Sequence, residues 1–287
     1  MHETMPARAA ELHADQPPAA AALAPAEAGA RIDTLDFIRG IAVMGILGAN
    51  IIAFGQPFAA YLYPAAFLTD PGDPGGWLWI AQFVLIDGKM RGLFTLLFGA
   101  GMVLFMDKAW EKGATRWLQA WRLVILLGFG MVHFFFIWPG DILAFYALYG
   151  LIALLCMRWS IKAQLVTGLG GYLLGVVVYL GLSFPWAIVD TPLGESTDDM
   201  RAQRAALIAE IDTALARDAV PSALIREGDY AGLVAHRITE QWSEPLQNAA
   251  LFGFETLPLM LIGMALYRLG FFTGGIARAK LLRWGWV

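Results

Sequence analysis

Apolar runs recur along the chain at 37–54, 92–106 (entered by the Trp-rich stretch 77–86), 119–137, 141–157, 164–186 and 247–267, with polar loops between them. About 20 mostly apolar residues cross the roughly 30 Å of a bilayer's hydrocarbon, and these segments approach or reach that length. The runs lack the period-two alternation of a transmembrane barrel, and an open-ended segment in lipid must satisfy its backbone internally. The pattern predicts an all-α fold, a polytopic helical membrane bundle of about six transmembrane helices.

The polar stretches divide the chain further. Residues 1–30 are rich in Ala and Pro and lack the basic start and continuous apolar core of a signal peptide, which predicts a disordered N-terminal tail. Residues 31–186 hold the first five spans. Residues 187–246 form one long polar excursion in which STDDMRAQRAALIAEIDTALARD carries capping residues and helical spacing. One amphipathic helix is expected there and a second over 221–243, as a solvated cap or a substrate lid. Residues 247–287 hold the sixth span and end at LLRWGWV, which reads as the start of a truncated C-terminal region.

Charge gives the topology. Arg31 and Arg39 flank the first span, Lys108, Lys112, Arg116 and Arg122 lie between the second and third, Arg158 and Lys162 follow the fourth, and Arg268, Arg278, Lys280 and Arg283 follow the sixth. These alternate with loops poor in Lys and Arg at 55–85 and 138–140, so the basic-loop rule predicts a cytoplasmic N-terminus and an extracytoplasmic 187–246 loop.

Composition agrees: 58% hydrophobic and 15% charged residues stand against about 45–50% and about 25% in soluble domains. The 20 basic residues form no face interleaved with aromatics, so nucleic acid is not an expected partner. The bilayer is the expected one, with a small-molecule, lipid or glycan substrate and self-association left open. Cys156 stands alone in an apolar run, which excludes an internal disulfide and a cysteine metal cluster. No metal or bound cofactor is expected. A Gly-rich phosphate loop, a GxSxG elbow and an HExxH pair are absent.

Against that background each charge near a span needs a reason, since one at the helix centre costs about 2.5–3.5 kcal/mol on insertion scales. Asp36 and Arg39 stand three apart on one helical face, either as an interfacial anchor or as a site, and Asn50 falls near the same stripe. Asp87, Lys89 and Arg91 precede an apolar run on what the topology makes the outer side, where basic residues are unexpected. His133 is the histidine inside a span, and Asp141 follows it across a WPG turn. The carboxylate could hold the imidazole in one tautomer, a base-and-orienter pair, or could cap the next helix. Glu255 lies within the sixth span and could pair with Arg39 or Arg91.

The motifs R-x-x-x-LDxxRG-x-A-x-x-GIL-x-x-N (31–50), FGQPFAAYLYP (54–64), DGKMRGLFTLLFGAG (87–101), H-x-x-x-x-WPGDIL-x-x-YAL-x-GL (133–151) and ETLPLMLIGMALYRLG (255–270), in this order, resemble the YeiB family. Those are bacterial inner-membrane proteins under a domain of unknown function, number 418. The LDxxRG opening is similar to that of membrane acyltransferases acting on sugars and polysaccharides, including the lysosomal heparan glucosaminide acetyltransferases. The resemblance implies an acyl-CoA or similar donor near Arg39 on the cytoplasmic side and an acceptor toward the outer side, with His133 as candidate base. A transporter or flippase lined by Asp36, Arg39, Arg91, His133 and Glu255, or a membrane partner without chemistry, are the competing expectations.

Overall fold

The computed structural model describes residues 33–61, 67, 72–188 and 198–272, so the expected tail at 1–30 and the stretch after 272 lie outside the described residues. The chain divides into Met1–Asp33 and Thr34–Val287, and the helical bundle belongs to the second unit.

The order of elements is α1 (Asp33–Gly55), a 3₁₀ turn (Phe58–Tyr61), α2 (Gly72–Gln82), a π-turn (Phe83–Asp87), α3 (Gly88–Glu111), α4 (Arg116–Val132), a second π-turn (His133–Ile137), α5 (Leu143–Leu155), α6 (Ile161–Ile188), α7 (Asp198–Glu227), α8 (Tyr230–Thr239) and α9 (Glu244–Arg268). All elements among the described residues are helical. Five helices are long and apolar enough to cross a membrane, and α5 with the 3₁₀ turn after it, through Arg158, is a shorter apolar sixth. The fold is the expected polytopic membrane-type bundle.

Helix α9 is the hub, packing against α3, α5 and α6, while α4 packs on α5. Lipid removes the hydrophobic drive between helices, so close backbone approach has to carry the association. The sequence supplies it: Gly99 meets the Met260 carbonyl and Gly263 meets the Leu96 carbonyl, so a Cβ at either position would collide with the facing backbone. Met102, Met106, Leu123, Phe145, Tyr146, Met260 and Met264 fill the core around that contact. Half of the apolar window of α9 is buried, 50%, against 11% for α1 and for α6. The outer helices instead present Phe37, Met44, Leu173 and Val177 outward, as lipid-facing surfaces do.

Two expectations are corrected. The second span takes in the Trp-rich stretch 77–86 that the sequence put at its entry, and Gly75–Glu111 is one long helical run interrupted only by a π-turn. Asp87, Lys89 and Arg91 therefore sit inside a helix instead of in a loop at its mouth. The expected break between two loop helices near 221 is also absent: α7 runs through Pro221 to Glu227, and the break falls at Gly228, whose φ of +71° suits glycine.

Candidate functional site

Helix α1 runs antiparallel to the α2–α3 rod, and its contacts give a depth scale. The Arg39 guanidinium lies 3.5 Å from where a Cβ on Gly101 would stand, Gly45 abuts the Met90 side chain, and the Gln82 side-chain amide donates to the Ala49 carbonyl at 3.1 Å. At the other end Trp138 packs edge-on against Phe54, with centroids 4.9 Å apart. Arg39 and Phe54 are fifteen residues apart on one helix, about 22 Å at 1.5 Å per residue. The Asp36–Arg39 end and the His133 end are thus opposite ends of the bundle.

At the first end Arg39 Nη1 donates to Asp36 Oδ1 at 2.9 Å, with the two side chains 39% and 42% exposed. This is the i,i+3 pair foreseen from spacing, half turned toward α3 through Gly101. Asn50 is half-buried farther along α1, about 21 Å up the axis from Asp36, so the two share a stripe without sharing a site.

At mid-length Arg91 makes a two-pronged contact with Glu255, Nε to Oε1 at 3.4 Å and Nη2 to Oε2 at 3.1 Å, and its guanidinium covers the Phe252 ring at 4.5 Å. Both side chains are largely buried, at 19% and 15%. Sequence left Glu255 a choice of arginines, and the fold gives it Arg91. Around the pair the Thr95 hydroxyl donates to the Arg91 carbonyl at 2.8 Å and lies 2.7 Å from the Tyr146 hydroxyl, which also donates to that carbonyl at 3.2 Å. On the next turn the Tyr61 hydroxyl donates to Asp87, and Lys89 donates to the Val84 carbonyl. Burial, reinforced by Asp87, pushes the Tyr61 phenol above its ordinary value. A cavity of ≈ 510 Å³ opens beside the pair, lined by Phe83, Val84, Lys89, Leu96, Tyr172 and Glu255 among others.

At the far end His133 Nδ1 faces Asp141 Oδ1 at 3.1 Å, an ion-pair distance without the alignment of a hydrogen bond. Asp141 is almost fully buried and divided in its duties: Oδ2 accepts the Ala144 N–H at 2.8 Å, capping α5, while Oδ1 is left for the imidazole. Of the two readings offered for Asp141, Oδ2 makes the helix cap, while Oδ1 faces the imidazole without a hydrogen bond to it. Burial pushes the carboxyl up, while the Ala144 and Leu143 N–H groups and the imidazole pull it down, with burial the larger effect. His133 is 31% exposed, and of the phenylalanines after it Phe134 is buried and Phe136 exposed. The cap closes on this end. The Tyr230 hydroxyl donates to the Phe136 carbonyl at 2.7 Å, the buried Arg237 to the Phe135 carbonyl at 3.4 Å, and the Ala59 N–H to Asp218 at 2.6 Å.

The chain is similar to YeiB of Escherichia coli (strain K12). The identity is 33% over 265 residues, covering 88% of this chain and 60% of YeiB, an uncharacterized protein. YxaH of Bacillus subtilis (strain 168), also uncharacterized, is 37% identical over 168 residues, 56% of this chain and 41% of YxaH. An uncharacterized 39.9 kDa protein in an amylase 3′ region of Bacillus acidopullulyticus is 32% identical over 144 residues, 48% of this chain and 37% of that one. The chain thus spans 60% or less of the length of these relatives. They support a YeiB-like family for it. No family model matches the chain, and no solved structure matches it. The YeiB match is long enough to take in both the Arg91 and the His133 regions.

Sequence reasoning passed over Tyr61, Thr95, Tyr146, Tyr230 and Arg237. Tyr146 could have been found, since a phenol in an apolar run needs a partner once buried. Arg237 could not, because its carbonyl partner is 102 positions away.

Proposed function

We propose that this YeiB-like membrane protein is an acyltransferase of the bacterial inner membrane, with its N-terminus cytoplasmic, moving an acyl group from a cytoplasmic acyl-CoA to a hydroxyl or amine of an envelope glycan, lipid or small molecule. The observation that carries the proposal is the His133–Asp141 pair. Nδ1 faces, at 3.1 Å, a buried carboxylate that the Ala144 N–H holds in place, and once the ring turns into alignment with it the tautomer with Nε2 unprotonated is favoured. An imidazole so oriented can take the proton from an acceptor hydroxyl as its oxygen attacks the thioester carbonyl. The thiolate of coenzyme A then leaves, and the proton passes to it. Arg39, at the opposite end, is assigned to the donor's phosphates, with Asp36 holding its guanidinium. The two roles lie about 22 Å apart along α1, so the donor's pantetheine arm has to run along the bundle axis to the imidazole.

The test uses the full-length protein in proteoliposomes with radiolabelled acetyl-CoA. Label is expected in the lipid or glycan fraction with wild type and absent with His133→Ala at equal protein level. If wild type transfers no label to any acceptor while its folded state is intact, acyl transfer is rejected. A second reading, transport of a charged solute, is favoured by one observation, the buried Arg91–Glu255 pair at mid-length beside a cavity.

A further inference from the structure

Several membrane-length helices meet near their midpoints at one place. Gly45, which abuts Met90, is the middle of the span Leu35–Gly55. Glu255 is adjacent to the middle of Glu244–Arg268, and Tyr172 is at the middle of Ile161–Leu182. Lys89, Glu255 and Tyr172 line the same ≈ 510 Å³ cavity, so three independent scales put that cavity at mid-bilayer depth.

Lys89 is the anomaly there. From Gly45 to the end of α1 is ten residues, about 15 Å, farther than a four-carbon stem can snorkel. Its side chain is exposed, and its ammonium donates to the Val84 carbonyl. The neighbouring carboxylates are engaged elsewhere, Glu255 by Arg91 and Asp87 by the Tyr61 hydroxyl. Apart from Lys89, Glu255 and Tyr172 the lining of the groove is apolar, and its rim residues Val84, Lys89 and Tyr172 are all exposed on the outer surface of the bundle. The volume suits a drug-sized ligand. The single cation calls for one negative charge, and the Glu255 wall would repel a second.

We propose that this cavity binds a long-chain aliphatic carboxylate entering sideways from the bilayer, its carboxylate on Lys89 and its chain along Val84, Leu93 and Leu96. A small anion would leave the apolar wall unfilled, and a dianionic phosphate would meet Glu255. The proposal uses none of His133, Asp141 or Arg39 and stands whether or not acyl transfer does.

The experiment places the full-length protein in phosphatidylcholine nanodiscs with a diazirine-bearing palmitate, followed by irradiation and peptide mapping by mass spectrometry. Saturable labelling is expected on 83–96 and around Tyr172, competed by unlabelled palmitate. Lys89→Met should raise the half-saturating concentration at least tenfold, and Lys89→Arg by less than threefold. The proposal is overturned if the matching diazirine hexadecanol labels the same peptides equally well, if a lysophosphatidate analogue displaces palmitate more effectively than palmitate itself, or if labelling is non-saturable along the outer faces of α1 and α6. Should Lys89→Met fail to fold, Leu96→Trp, which fills the groove without touching the charge, decides. Lost labelling in that folded variant supports the site, and unchanged labelling overturns it.

Discussion

Two ion pairs, Asp36–Arg39 and Arg91–Glu255, have nearly the same contact distance, 2.9 Å and 3.1 Å, and opposite physical meaning. The first joins neighbours on one helix, about two-fifths exposed at the end of a loosely packed α1. The second joins residues 164 positions apart, buried where α3 meets α9. A pair that both water and lipid headgroups can screen adds little, whereas breaking a buried pair leaves an uncompensated charge.

The comparison can be broken most severely at Glu255. Glu255→Ala strands the Arg91 charge and should destabilise the protein by about 3–5 kcal/mol, read as loss of the monodisperse folded species in detergent and a lowered thermal midpoint. The double replacement Arg91→Met with Glu255→Leu should recover most of that loss, because it removes the charges together. If the single and double variants behave alike, the pair does not determine how α3 packs on α9. Next in size is Gly99→Leu, which drives a side chain into the Met260 backbone and should cost about 1–3 kcal/mol in the same assay. Arg39→Ala should shift the thermal midpoint least, by about 0–1 kcal/mol equivalent, while weakening acyl-CoA use in the transfer assay. A large stability loss there would show α1 held by its charge after all.

A pH series sharpens the far end. Burial raises the Asp141 carboxyl in the folded state, so the folded protein holds that proton more tightly than the unfolded chain. The associated stability is fully present below the unfolded pKa, about 3.9, and is lost as pH rises through the raised folded value. Asp141→Asn should flatten that part of the stability curve in thermal unfolding followed from acid toward neutral pH. An unchanged slope would mean that the carboxyl is not perturbed.

The same contrast explains what was legible in the sequence. Long apolar runs announced the bundle because lipid imposes length and composition on each helix separately. The Asp36–Arg39 contact was legible because it obeys the period of a single helix. His133 and Asp141 were foreseen as partners because one turn joins them. Arg91–Glu255 could only be narrowed to candidates, since nothing local ties residue 91 to residue 255, and the Tyr146–Thr95 bond within that cluster was invisible for the same reason. The setting of Asp87, Lys89 and Arg91 was misjudged because the charges read as a loop, while the chain instead carries them along a helix that meets α1 through Gln82 and Met90.

Both polar centres lie at π-turns: Phe83–Asp87 ends just before Lys89, and His133–Ile137 begins on the imidazole itself. A π-turn amounts to one surplus residue lodged in an α-helix, rotating everything beyond it by about 100°. At Phe83–Asp87 the chain is therefore one codon away from a plain helix whose α3 half, Lys89 and Arg91 included, is turned by about 100°, whereas His133–Ile137 closes α4, because Trp138 is extended. Excising a single residue from 83–87 would leave a chain that still enters the membrane and has lost the Lys89 centre while the His133 end is untouched, which makes the two proposed activities separable by the smallest deletion a gene can undergo in frame.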